Sequence, residues 1–213
     1  MKQVIKGTEP ASFTDWKASA NEDWQPSYET LQNPQKRDLH LSLLLEQRHA
    51  CCYCGREIDL HSSHIEHFRP QEHFEHLALD YENLHASCLR ETKPGNPLHC
   101  GHRKGNWFEE KLHISPLEQN CEQRFCYLLT GEIQAFTNDA GATKMIEVLA
   151  LDIAYLNNRR EEQLLGFFDN DFLIDASEED LRRTIEFFRW VENDHPVPFS
   201  HVIARYAEQL MSA

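Results

Sequence analysis

The chain has 213 residues, which suits one domain with extensions or two small domains. No run approaches the ~20 apolar residues of a membrane span, and the first residues contain no apolar signal segment, so we expect a cytoplasmic protein with no membrane contact. The formal net charge of −14 disfavours a free-standing nucleic-acid binder, because phosphate contacts need lysine and arginine. Residues 85–106 are an exception, with four basic residues against one acidic residue.

Residues 1–45 are predicted to form a polar N-terminal arm followed by a helix. The arm shows little hydrophobic periodicity. It contains three aromatic side chains that either dock on a partner or pack over the protein's own domain: Trp16, Trp24 and Tyr28. Asn33 and Pro34 favour a helix start, with Asn33 as the N-cap, and leucines at helical spacing extend this helix to about Arg48.

Cysteine and histidine are concentrated in residues 51–106, at a density that metal binding explains and a hydrophobic core does not. Four cysteines of this segment are predicted to hold one structural zinc ion: Cys51, Cys54, Cys88 and Cys100. The two residues between Cys51 and Cys54 let a tight turn aim both sulfurs at one ion, and Gly55 permits the unusual backbone angles that follow. A loop interrupts the second pair, for which His99 is an alternative ligand.

Between the two cysteine pairs, a short strand is predicted to end in Glu66 and His67. Asn83 precedes a second strand, Leu84 to Ser87, so the two strands form a hairpin with Glu66 and His67 at its rim. A short helix begins near Cys100. This helix carries three polar residues: His102, Arg103 and Lys104.

The order of these elements, Cys-x2-Cys, Glu-His-x-x-Pro, Asn-Leu, Cys and Cys-x3-Lys, resembles that of the HNH endonucleases and their ββα-metal fold. The resemblance covers residues 51–106. Residues 64–70 and 99–106 look more narrowly like the HNH nuclease subunits, called PtuB, of the Septu and retron antiphage systems. This implies a metal-dependent nuclease that cuts nucleic acid as a defence effector. Its implied partners are an ATPase subunit of the PtuA type and, in retrons, a reverse transcriptase–RNA complex.

The resemblance also implies roles for individual residues. His67, three residues before Pro70, is the general base that takes a proton from water. Glu66 is a ligand of the catalytic Mg²⁺ or Mn²⁺ ion, and Asn83 orients the histidine ring through its backbone or side chain. Three cationic side chains contact flanking phosphates without reading sequence: Arg69, Arg103 and Lys104.

One position departs from the family pattern. The family has His or Asn three residues before the helix lysine, and here that position is Gly101, which has no side chain to bind a metal. We favour His102 as the second ligand of the catalytic ion, and His85 is also close in sequence. His64 is either a neighbour of the site or simply exposed, and exposure is the favoured expectation.

Residues 114–213 are predicted to form a hairpin at residues 127–136 and then a helical region. Four apolar residues make one helical stripe: Ile146, Leu149, Ile153 and Leu156. Ser177 opens a further helix whose apolar face extends to Val191. A chain break at residues 195–198 precedes a last amphipathic helix.

The predicted fold class is α+β and mostly helical. It has three parts: the arm and helix at residues 1–45, a zinc-stabilised ββα-metal HNH core at 46–113, and the hairpin and helical region at 114–213. The predicted function is metal-dependent hydrolysis of phosphodiester bonds. Two alternatives stay open, namely the same chemistry on RNA such as tRNA, and a zinc-binding adaptor for nucleic acid or protein that cuts nothing.

Overall fold

The computed structural model describes residues 1–190 and 197–212 of the chain. Within these residues the protein is α+β and mostly helical, as predicted. Eight α-helices lie in the described part of the chain: α1 Ala11–Ala18, α2 Gln35–Glu46, α3 Cys100–Lys104, α4 Ala140–Val148, α5 Ala154–Phe167, α6 Asn170–Asp175, α7 Glu178–Trp190 and α8 Ser200–Met211. Two antiparallel hairpins are formed by the strands β1 Ser63–His67, β2 Leu84–Cys88, β3 Phe125–Tyr127 and β4 Ile133–Ala135.

The first hairpin lies in the metal-rich segment, and both of its strands are where the sequence predicts them. The register pairs Glu66 with His85 and His67 with Leu84, so Glu66 and His67 stand at the end of β1. After a loop, α3 begins at Cys100 and packs against β2. The predicted order of strand, strand and short helix is therefore confirmed.

The N-terminal arm packs on the protein's own domain, which is one of the two alternatives that the sequence leaves open. Trp16 lies on α1, a helix that the sequence does not predict. Its ring stacks on Phe13 at 5.9 Å and meets Trp24 edge-on at 5.6 Å. Helix α2 confirms the helix predicted next, but it begins at Gln35 with no side-chain cap, so Asn33 is not its N-cap.

The C-terminal region differs from its predicted pattern at one point. The single apolar stripe belongs to two helices, because α4 ends at Val148 and α5 begins at Ala154. The second hairpin and the starts of α7 and α8 are confirmed, and Ser177 and Asp180 make the reciprocal hydrogen bonds of a capping box. The sequence does not predict α6. Val191 and the start of the predicted break, residues 195–196, lie outside the described residues.

One apolar core runs through all three predicted parts of the chain. Met1 and Val4 from the arm, Leu84 from β2 and Ile203 from α8 are each at most 2% exposed and belong to one cluster. The arm, the metal-rich hairpin and α8 therefore contribute to one shared core. Among the described helices, none is long and apolar enough to cross a membrane.

Candidate metal centre and adjoining cleft

Four buried sulfur atoms meet beside the first hairpin, as the sequence predicts. Cys51, Cys54, Cys88 and Cys100 place their Sγ atoms within 4.8 Å of one another, and each residue is at most 2% exposed. A tetrahedral zinc ion with Zn–S bonds of about 2.3 Å needs sulfurs ~3.8 Å apart. The Sγ atoms of Cys54 and Cys88 are 3.9 Å apart. The donor set and its spacing therefore fit a structural zinc ion.

The charge of the cluster also favours a cation. Burial opposes charge on each thiol and holds the pKa of Cys88 and Cys100 well above the usual value. At Cys51, hydrogen bonds from the neighbouring thiols outweigh burial and place the pKa well below the usual value. The cluster thus favours negative charge at Cys51 in an apolar surrounding, and a bound zinc ion would deprotonate the other thiols.

His99 lies outside the set of sulfur ligands. Its Nδ1 atom is 3.2 Å from Sγ of Cys100 and 3.6 Å from Sγ of Cys88, distances at which it hydrogen-bonds to the sulfurs. The four-cysteine set is therefore the one that the geometry favours, with His99 as its neighbour. Gly55 behaves as predicted, because its φ is +74° and a Cβ atom there would overlap the ring of His201.

Glu66 is held firmly beside the cluster. Its Oε1 atom is 2.8 Å from Nζ of Lys104 and accepts a hydrogen bond of 3.1 Å from the Tyr53 hydroxyl. Burial alone would raise the pKa of this carboxyl, but Lys104 and His64 outweigh it and lower the pKa to about 2. Glu66 is therefore ionised at neutral pH, and its Oε2 atom is left for another partner.

His67 is oriented by hydrogen bonds at both of its ring nitrogens. Its Nε2 atom is 3.0 Å from the carbonyl oxygen of Ala78, so Nε2 carries the hydrogen and donates it. Nδ1 then holds the lone pair, which accepts a hydrogen bond of 3.1 Å from Nε2 of Gln71. Burial lowers the pKa of His67 below its usual value, although the bond to Ala78 acts in the other direction. The ring is thus neutral at pH 7, as a general base must be.

His64 shares the cleft with Glu66, against the expectation of a merely exposed side chain. The two residues are two positions apart on β1 and so project from one face of the strand. Nε2 of His64 is 3.3 Å from Oε2 of Glu66. A Cβ atom at Gly101 would overlap Oε2 of Glu66 and lie 2.9 Å from Nε2 of His64. The glycine that departs from the family pattern therefore makes room for an imidazole supplied by the strand.

His102, the expected second metal ligand, lines the same cavity as Glu66 and His64. It is exposed, and its ring centroid is 4.6 Å from that of His64. Among the described residues, the four cysteines are the only group of three or more potential ligands whose atoms all lie within 4.8 Å of one another. The imidazole that hydrogen-bonds to Glu66 is that of His64, and the role of His102 as a metal ligand stays a prediction.

The three cations expected to contact phosphates differ in their access to solvent. Lys104 is 4% exposed. Its Nζ atom pairs with Glu66 and donates to the backbone carbonyls of residues 67–68 at 2.7 and 3.1 Å. Lys104 is thus paired with a buried carboxylate, and its expected contact with phosphates stays a prediction. Arg103 is exposed, and Arg69 lies half-buried over two aromatic rings at 5.3 and 5.5 Å.

Asn83 holds the loop that supports the histidine ring. Its Nδ2 atom donates to the carbonyls of Arg69 and Leu77, each at 3.1 Å, and its Oδ1 atom accepts from the Arg69 amide at 2.8 Å. Leu77 precedes Ala78, whose carbonyl accepts from the ring of His67. Asn83 therefore acts on His67 through this loop and not by a direct bond from its side chain.

The groups described above line one open cavity of about 270 Å³. Its wall includes His64, Glu66, His67, Gln71 and the backbone at Gly101. An ionised carboxylate, a neutral imidazole whose Nδ1 atom is hydrogen-bonded to Gln71 and a second imidazole beside the carboxylate therefore line one space. This arrangement can bind a divalent cation at one end and deprotonate a small nucleophile at the other.

Three residues of this site carry no recognisable signal in the sequence: Tyr53, Gln71 and Ala78. Their roles depend on folding, which brings them to Glu66 and His67. His85, which is close to Asn83 in sequence, is fully buried, and burial followed by Lys6 lowers its pKa to about 3. Its ring is therefore neutral and not accessible to a substrate.

A search of known protein families found no match to this chain, and a search of curated proteins found none either. The candidate site consequently depends on the geometry of its own residues.

Proposed function

We propose that this protein is a metal-dependent endonuclease of the HNH type that hydrolyses phosphodiester bonds. The observation that carries the proposal is the state of His67. Its Nε2 atom is fixed by the Ala78 carbonyl, its Nδ1 lone pair accepts from Gln71, and the residue lines a cavity that the ionised Glu66 also lines. A neutral, oriented imidazole beside a potential cation site is the arrangement that hydrolysis of a phosphodiester requires.

The donor set of the cleft fits a divalent cation. Oε2 of Glu66 and Nε2 of His64 are 3.3 Å apart and hydrogen-bond to each other, and a divalent ion bound between them would replace this bond. One carboxylate oxygen and one imidazole nitrogen suit Mn²⁺ and related ions, and a Mg²⁺ ion accepts the carboxylate with water as further ligands. When bound, such an ion supplies positive charge to the transition state and to the departing oxygen.

In the proposed reaction, Nδ1 of His67 takes a proton from a water molecule. The water oxygen forms a bond to phosphorus as the bond from phosphorus to the 3′ oxygen breaks, and the departing oxygen takes a proton from solvent. Gln71 donates to the same lone pair in the free protein, so its side chain must turn aside when water binds. Lys104 and Tyr53 keep Glu66 ionised and in place throughout.

The biological setting follows from the narrower resemblance. The proposed role is the effector nuclease of an antiphage system of the Septu or retron type, held in check or directed by an ATPase subunit. Residues 137–213 carry fifteen acidic and seven basic residues, so this region repels nucleic acid, and a partner that delivers the substrate would overcome the repulsion. Gel filtration of both subunits at micromolar concentration tests this role, and separate elution would count against it.

The nuclease proposal is tested by incubating the protein, alone and with its ATPase partner, with plasmid DNA, single-stranded DNA and tRNA. Each reaction is run with Mn²⁺, with Mg²⁺ and without added metal. We expect metal-dependent cleavage and a loss of about 10²- to 10⁴-fold in His67→Ala, the range for removal of a general base. His73→Ala is the matched control, because His73 is an exposed histidine six residues away.

Zinc content and thermal stability are measured in parallel, so that an unfolded variant is recognised. Cleavage by His67→Ala at the wild-type rate would contradict the nuclease proposal. Nucleic-acid binding without cleavage in any arm would favour the zinc-stabilised adaptor. Cleavage of tRNA alone would identify RNA as the substrate.

A further inference from the structure

A second groove begins where the cleft ends. It has a volume of about 540 Å³ and is lined by the start of α2, the turn before β1 and the residue that follows Leu89. His64 and Ile65 line both this groove and the cleft, so the two depressions are continuous. Any ligand that extends from the cleft in this direction must enter the groove.

The groove is basic in an acidic protein. Its wall contains three permanent cations: Lys36, Arg37 and Arg90. None of the twelve lining residues is acidic, although the chain has 35 aspartates and glutamates. The exposed His61 adds a further nitrogen at the rim. This composition is typical of a surface that follows the phosphates of a nucleic acid.

The positive charge of the groove also contributes to a lowered pKa at a neighbouring histidine. Burial, and after it Arg90 and His64, lower the pKa of His40 on the groove wall to about 4. The acidic residue that acts on His40 in the other direction is Asp59. Its Oδ1 atom accepts three hydrogen bonds from His61 and Ser62, which keep it ionised, so its single negative charge offsets part of the charge of the three cations.

Tyr28 connects the groove to the catalytic histidine. Its ring lines the groove, lies edge-on to the ring of His67 with centroids 4.5 Å apart, and supports the ammonium of Lys36 at 4.8 Å. Arg90 is fixed in a similar way by a hydrogen bond to the Leu60 carbonyl. The cations are thus held in position relative to the cleft, as a guide for a substrate requires.

We propose that this groove binds the sugar-phosphate backbone of the nucleic acid and leads it into the cleft, with Lys36, Arg37 and Arg90 as sequence-independent phosphate contacts. The inference rests on the proposed nuclease function for what happens in the cleft, but binding in the groove is measurable without cleavage. The ligand chemistry is a chain of phosphodiesters, from DNA or RNA, single-stranded or duplex.

The test compares a groove variant, Lys36→Gln with Arg37→Gln and Arg90→Gln, with a control variant of equal charge. The control replaces Lys144, Arg182 and Arg183 with glutamine, because these cations lie on α4 and α7 in exposed pairs with acidic neighbours. Binding of labelled 20-nucleotide single-stranded DNA, single-stranded RNA and duplex DNA is followed by fluorescence anisotropy without added divalent ion, over a series of salt concentrations.

We expect the groove variant to bind at least one of these probes more weakly than the wild type, by about tenfold or more at low salt. Its log–log salt slope falls by ~2 for a single strand or ~3 for a duplex, since each lost phosphate contact removes ~0.7 or ~0.9. The control variant keeps the wild-type affinity and slope. In cleavage assays the groove variant raises KM and leaves kcat unchanged, because these contacts are equal in the ground state and the transition state.

The failures of the two proposals are distinguishable. Equal binding by the groove and control variants overturns the groove proposal, whether or not the wild type cuts. If the groove variant binds more weakly than the control variant and the wild type does not cut, the groove proposal is supported and the nuclease proposal is contradicted. Tight competition by polyglutamate overturns the groove proposal, because a groove specific for phosphodiesters does not prefer carboxylates. Zinc content and melting temperature confirm that both variants fold.

Discussion

The cysteine cluster and the cleft are neighbours, but they differ in how complete they are. The cluster has four donors of one kind, fully buried and already within 4.8 Å of one another. The cleft has one carboxylate and one imidazole 3.3 Å apart, in a cavity open to solvent. The first arrangement closes around an ion, whereas the second leaves positions free for water and substrate.

Helix α3 links the two regions. Cys100 at its first position belongs to the cluster, and Lys104 at its last position pairs with Glu66 in the cleft. Gly101 lies between them against Glu66 and His64. A metal ion in the cluster therefore fixes the helix that arranges the cleft. We expect damage to the cluster to destroy both regions, and damage to the cleft to leave the cluster intact.

The largest effect is expected from Cys88→Ser, which removes one of four zinc ligands. Structural zinc contributes about 10–16 kcal/mol in small domains, which is comparable to the whole stability of a protein, so loss of one ligand removes the folded state at 37 °C. The measurement combines zinc content with thermal unfolding.

Cys121→Ser is the control for this prediction, because Cys121 is equally buried but lies outside the cluster. We expect it to keep its zinc and to lose ~1–3 kcal/mol at most, the cost of an altered buried polar group. Equal zinc content in the Cys88 variant and the wild type would show that the cluster is not a metal site.

The next effect concerns the buried ion pair that joins α3 to β1. Lys104→Met keeps the volume of the side chain but leaves the Glu66 carboxylate buried and uncompensated, at a cost of about 3–5 kcal/mol. Chemical denaturation measures this loss. Arg103→Met, one position earlier and exposed, should change stability by less than ~0.5 kcal/mol.

A double variant sharpens the prediction. Glu66→Gln with Lys104→Met replaces both charges, so it should recover part of the stability that Lys104→Met loses. If Lys104 contacted phosphates instead of Glu66, Lys104→Met would have the same free energy of unfolding as the wild type, and only its binding of nucleic acid would weaken.

The same comparison shows what the sequence can predict. The spacing of Cys51 and Cys54, the glycine that follows them and the order of the later ligands are local signals, and the cluster is as predicted. The strands are equally local, since alternation and the flanking turns define them. Such features depend on neighbours in the chain and can be read from it.

The cleft depends on contacts between distant segments, and there the sequence is a weaker guide. Lys104 is expected to contact phosphates, but its side chain is buried and pairs with Glu66, which lies 38 residues earlier in the chain. His64 is recognised as part of the cleft only when β1 and α3 are placed together. The basic groove likewise combines α2 with a turn and a residue after β2, which no sequence pattern connects.

A smaller and more local effect is expected from Gly101→Ala. The new Cβ atom overlaps Oε2 of Glu66, so the carboxylate must move while Lys104 and Tyr53 still hold its other oxygen. Displacement of a reacting group by about 1 Å costs ~10²-fold in rate, and we expect cleavage to fall by that factor with zinc content unchanged.

Gly166→Ala is the matched control for a helical glycine, because a Cβ atom at Gly166 meets nothing within 4 Å. It should gain about 0.5–1 kcal/mol of stability and leave cleavage unaltered. Wild-type cleavage by Gly101→Ala would show that the positions of Glu66 and His64 do not matter for the reaction.

The smallest effect is expected at a site that touches neither region. Asp139 caps α4 through a bond of 2.9 Å from the Ala142 amide and pairs with both arms of the Arg124 guanidinium. Asp139→Ala should cost about 1 kcal/mol at pH 7, the usual value for an N-cap. Neither zinc content nor cleavage should change.

The pH dependence of this difference has a definite sign. The bond from Arg124, followed by backbone bonds from α4, lowers the pKa of Asp139 from its usual 3.8. A carboxylate with a lowered native pKa stabilises the fold above the unfolded value and loses that contribution as the pH falls through the native one. The gap between wild type and Asp139→Ala should therefore be constant from pH 7 to about 5 and shrink below about 4. Because zinc release at low pH affects both proteins alike, denaturation at each pH isolates the carboxylate, and a gap that stays constant in acid would contradict its ionised role.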